Sequence, residues 1–125
     1  MKRHKHTEAS SKFLALENHF LNTFFSGLYL SAADFISIAK QNGVELHMHS
    51  REMLIKDLFN ETDKIGTIEN VFASLNSLID ERITTYHRLS LEYPAARVPL
   101  SRLAQKATGT KSLLAREMRG NPYEQ

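Results

Sequence analysis

Between Thr67 and Tyr93, apolar side chains recur at steps of three and four. Ile68, Val71, Phe72, Leu75, Leu78, Ile79, Ile83, Tyr86 and Leu89 carry the pattern. At about 100° per residue they fall within an arc of roughly 140°, as one long amphipathic helix requires. Glu69, Asn76, Ser77, Asp80, Thr84 and Arg88 lie on the opposite arc. A stripe that wide has to be covered by other helices, so the chain reads as an α-helical bundle.

The remaining segments supply those helices. Residues 1–10 are polar and basic and are expected to form a flexible tail. A first helix is expected from Ser11, with Phe13, Leu14, Leu16, Phe20, Leu21, Phe24 and Phe25 as its core face. Gly27 is its expected stop, because glycine accepts the left-handed conformation that closes a helix. Ser31 and Asp34 predict a capped second helix carrying Phe35, Ile36, Ile38 and Ala39, with Gly43 after its end. Residues 45–49 alternate but have no partner strand, so they read as a connector. Ser50 caps a third helix containing Met53, Leu54, Ile55, Leu58 and Phe59. Residues 60–66 read as a polar loop.

The long helix should end at Tyr93, since the residue before a proline is pushed away from helical geometry. Pro99 fits the first turn of a short fifth helix, where its missing N–H costs nothing. Thr108-Gly109-Thr110 is expected to break that helix, and Thr110 to cap a last one ending at Gly120. The predicted fold is all-α: an antiparallel bundle of four main helices over residues 11–93. A basic, short C-terminal helical hairpin and tail are expected to occupy residues 94–125.

A chain of 125 residues fits one domain with a real core. With no cysteine, disulfides and thiolate metal sites are excluded. The most apolar stretch, residues 20–30, is interrupted by Asn22, Thr23, Ser26 and Gly27, short of the about 20 apolar residues a membrane span needs. The basic start is not followed by an apolar run, so no signal peptide is expected. A cytoplasmic protein without membrane attachment is the expectation.

Charge is distributed unevenly. Residues 45–81 carry three basic side chains against eight acidic ones, and residues 82–125 carry eight basic against three acidic. The basic end can seek an anionic partner, or the two halves can balance each other. Leu103, Ala104, Gly109, Leu113, Leu114 and Met118 outline a pair of helices that resembles a helix-turn-helix. That resemblance implies nucleic-acid binding through Lys111, Ser112, Arg116 and Arg119. The pair departs from the motif by one extra residue between Ala104 and Gly109. Gly109-Thr110-Lys111-Ser112 lacks the paired glycines and preceding strand of a phosphate-binding loop and is not read as one.

His47 and His49 point the same way in the alternating segment and, with Glu45 or Glu52, are the candidate metal ligands. The Glu-x-x-His pairs of helical metal sites are absent, so no metal or other cofactor is expected. Tyr86-His87-Arg88 are adjacent on a helix and point about 100° apart, so they do not converge for catalysis. The expected function is therefore non-catalytic: protein–protein interaction or regulation. The expected partner is a second copy or another protein, met through Ile68, Phe72, Leu75, Ile79 and Tyr86. Nucleic-acid regulation is the alternative, and a His/carboxylate metal bundle a weaker one.

Overall fold

The computed structural model describes residues 11–120, with side chains placed from Lys12 to Met118. The basic tail expected at 1–10 lies outside the described residues. Six α-helices are present: α1 (Leu14–Leu21), α2 (Thr23–Ser26), α3 (Ala32–Gln41), α4 (Arg51–Ile65), α5 (Ile68–Glu92) and α6 (Arg97–Gly120). A 3-10 turn, Ser11–Phe13, precedes α1 and another, Pro94–Ala96, leads into α6. Among the described residues there is no strand. The chain is all-α, as expected.

The described residues divide into two compact units. The first takes residues 11–21 and 30–71; the second takes 22–29 and 72–120. Residues on both sides of position 93 thus belong to the second unit.

In the first unit α4 packs against α3 and α1. Its inner face is Leu54, Ile55, Leu58, Phe59 and Thr62, all buried. Phe59 meets Phe13 with ring centroids 5.6 Å apart. The local signals here act as expected. Ser31 and Asp34 close a capping box on α3, the hydroxyl accepting from Asp34 N and the carboxylate from Ser31 N. Ser50 accepts from Met53 N at the start of α4. The predicted loop at 60–66 is helix instead, and α4 stops only at Gly66 in the left-handed conformation. Thr62 explains the continuation. Its buried hydroxyl donates back to Leu58 O at 2.6 Å, so a polar side chain extends the apolar face without an unpaired group.

The second unit is an antiparallel pair of long helices with α2 docked on it. The turn is where Tyr93-Pro94 placed it, and Lys111 Nζ on α6 reaches Asp80 Oδ1 on α5 at 2.6 Å. The short hairpin expected within residues 94–125 is therefore corrected. Residues 97–120 form one unbroken helix, and the true hairpin is α5 with α6. Gly109 does not end α6: its φ is not positive, and nothing lies within 4 Å of where its Cβ would be. Thr108 Oγ1 donates to Ala104 O, and the single Thr110 hydroxyl proton is shared between Lys106 O and Ser26 O.

Helix one is also corrected. Asn22 interrupts it and caps α2 through Phe24 N, which shifts the phase of the residues that follow. Phe13 and Phe20 stay buried, but Phe24 is 70% and Phe25 56% exposed. Gly27 closes α2 at φ 82, as predicted. A Cβ on it would lie 2.5 Å from Leu103 O and 2.6 Å from Ala107 N of α6.

The two glycines should respond oppositely to alanine. Gly27→Ala strains a left-handed residue against backbone and is expected to cost about 2–5 kcal/mol. Gly109→Ala is expected to gain about 0.5–1 kcal/mol, because alanine is the better residue inside a helix. Chemical unfolding of both variants checks this. A loss at Gly109 would mean that α6 breaks there.

Candidate functional site

The described surface offers three groups of residues with chemistry. The first is the turn of α2 on α6. Its C-terminal carbonyls point at side chains from the two long helices. Lys106 Nζ donates to Phe24 O at 2.7 Å, and Thr110 Oγ1 to Ser26 O at 2.9 Å. The Tyr86 hydroxyl donates to Gly27 O. These are carbonyls a helix end leaves without partners. Lys106 Nζ also lies 3.6 Å from the centroid of the Phe24 ring, a cation–π contact. Burial pushes the Tyr86 hydroxyl above its usual range, with Arg82 opposing.

The second group is the basic set predicted for nucleic acid. Lys111, Ser112 and Arg116 lie on one continuous helix, not on the recognition helix of a helix-turn-helix. Lys111 is half-buried and tied to Asp80, while Ser112 and Arg116 are exposed. The Arg119 side chain lies outside the described residues. So one of the expected cations balances the acidic middle of the chain, and the predicted set does not form as a unit.

The third is the predicted His pair. His47 and His49 are exposed and line an open cleft of about 380 Å³ with Glu45, Asp57 and Glu61. Among the described residues, no three His, Cys, Asp or Glu side chains are placed to hold a metal. His49 Nδ1 accepts from Ser50 N at 2.9 Å, and Glu61 pairs with Lys64.

The interface predicted on the long helix needs correction. Ile68, Phe72, Leu75 and Ile79 are buried within the folded chain, and Tyr86 is half-buried with its hydroxyl used. The stripe from Ile68 to Ile79 is largely the chain's own core, and Ile83, Tyr86 and Leu89 beyond it are half-buried. What α5 leaves exposed lies at its end: Leu91 is 81%, Tyr93 60% and, across the turn, Val98 59% exposed. Sequence periodicity does not reveal these exposed residues, because they straddle Pro94 and follow no helical repeat. Lys106 and Thr110 were missed for a related reason. Their partners are more than eighty residues away.

One titratable group is closed off. Glu17 is 4% exposed, and its Oε2 has no hydrogen-bond partner among the described residues. Burial pushes its carboxyl above the usual range; Lys56 opposes this and Asp57 adds to it. The folded chain thus holds the proton more tightly than the unfolded one. As pH rises through the ordinary Glu range, the unfolded state loses its proton first, and stability falls until the raised folded value is passed. Glu17→Gln should therefore stabilise the protein near neutrality and give no such gain at about pH 4. Urea titrations at both pH values check it; an equal gain at both would place the cause elsewhere.

No helix among the described residues is long and apolar enough to cross a membrane. Comparison with protein-family models, with curated proteins and with solved structures finds no match.

Proposed function

We propose that this chain is a non-catalytic interaction or regulatory protein that pairs with a second copy of itself through the turn between α5 and α6. The observation that carries this reading is the exposure of Leu91, Tyr93 and Val98 around one tight turn. Three large apolar side chains left in water within so short a segment are what a self-association site would use. A two-fold axis would set the same apolar patch against itself. The nearby Arg88 and Glu92 are already paired with each other at 3.2 Å, which leaves Arg97 as the cation that a facing copy would have to accommodate.

Non-catalytic action is supported by how two of the perturbed groups, Glu17 and Tyr86, are used. Glu17 is shut away from solvent, and the Tyr86 hydroxyl is spent on a backbone carbonyl. Neither is presented to a substrate.

Sedimentation equilibrium across micromolar concentrations tests the pairing. The wild-type chain should associate. Leu91→Ser combined with Tyr93→Ser should return it to a monomer with an unchanged Tm, because both side chains are exposed. A wild-type chain that stays monomeric throughout contradicts the reading.

A further inference from the structure

The surface shared by α2 and α6 combines two features. One is uncompensated positive charge. From Tyr93 to Arg116 the sequence has five cations, Arg97, Arg102, Lys106, Lys111 and Arg116, and no Asp or Glu. Only Lys111 has an acidic partner among the described residues. Arg102 and Lys106 stand one turn apart on α6, about 6 Å along its axis. Such like charges repel mildly when nothing lies between them. Arg102 is exposed, and Lys106 keeps donors beyond the one it gives to Phe24 O.

The other feature is exposed aromatic surface beside that charge. Phe24 and Phe25 are both more than half exposed, with centroids 5.7 Å apart and planes at 60°. Lys106 sits against the Phe24 ring, so cation and rings form one patch. The segment 22–29 that carries the rings has no charged residue.

We propose that this surface binds single-stranded nucleic acid. Arg102 and Lys106 contact successive phosphates, and Phe25, with the free part of the Phe24 ring, stacks unpaired bases. Phosphates supply the negative charge that the patch lacks. Bases supply the flat partners that exposed rings take in single-strand sites. A duplex hides its base faces and would leave Phe25 unused. An acidic peptide would satisfy the cations but not the rings. A lipid surface fits poorly, because α6 turns its apolar residues Ala104, Ala107 and Leu114 inward. Between Ser101 and Ser112 its outward side chains, including Gln105 and Thr108, are polar. The site differs from the helix-turn-helix reading in both residues and ligand.

Fluorescence anisotropy of the full chain tests it, using a labelled mixed-sequence strand of about 20 nucleotides. Binding is expected at about 50 mM salt and should weaken steeply as salt rises. Phe25→Ala should weaken it about tenfold. Arg102→Gln should lower the slope of log affinity against log salt by about 0.7, the value for one phosphate of a single strand. Both side chains are exposed, so Tm should stay unchanged and a folding defect would be seen. The proposal is overturned if the strand does not bind at low salt, or if Phe25→Ala leaves its affinity unchanged. It is overturned equally if a duplex of the same sequence, polyglutamate or a phosphatidylserine vesicle binds more tightly than the strand.

Discussion

The second unit depends on how the carbonyl end of α2 is received by the two long helices. A four-residue helix cannot hold itself together, since it makes almost no internal hydrogen bonds. Here its carbonyls at Phe24, Ser26 and Gly27 are taken by Lys106, Thr110 and Tyr86. Gly27 permits the close approach, lying backbone to backbone against Leu103 and Ala107. Each of these hydrogen bonds contributes about 0.5–1.5 kcal/mol net. Losing a donor such as Thr110, which is fully buried, would also leave Ser26 O unpaired.

This seam accounts for the C-terminal part of the fold that local sequence misreads. Thr108-Gly109-Thr110 has the composition of a break, and in an isolated peptide glycine would cost about 1 kcal/mol of helix stability. The bond from Thr110 to Ser26, eighty-four positions back in sequence, offsets that cost. Phe24 and Phe25 continue the spacing of an aromatic core face. Asn22 resets the phase, and the rings go outward. At residues 60–66 the polar composition outweighed the buried run Leu58, Phe59 and Thr62, which continues the helix. Signals that act within four residues were legible: the Ser31–Asp34 box, the Ser50 cap, the left-handed Gly27 and the stop at Tyr93-Pro94. The long stripe was legible as buried. What covers it was not, because an apolar face looks the same to its own core as to a partner.

The charge asymmetry resolves in the same way. Sequence alone leaves open whether the basic end balances the acidic middle or faces outward. Asp80 takes Lys111, so part of the balance is internal. A surface pair of this kind contributes about 0–1 kcal/mol, too little to organise a helix. Arg102 and Arg116 remain exposed and form no ion pair among the described residues. The basic helix is thus positioned by its small-residue seam and its bonds to α2, and its outer charges are left available.

Hydrogen–deuterium exchange of the native chain across residues 104–114 tests this account most directly. An unbroken α6 held by the α2 turn predicts slow exchange through Gly109, Thr110 and Lys111, continuous with Ala107 before and Leu114 after. Fast exchange confined to residues 108–111 would contradict it, restoring a break in the helix and removing the platform on which the α2 turn rests.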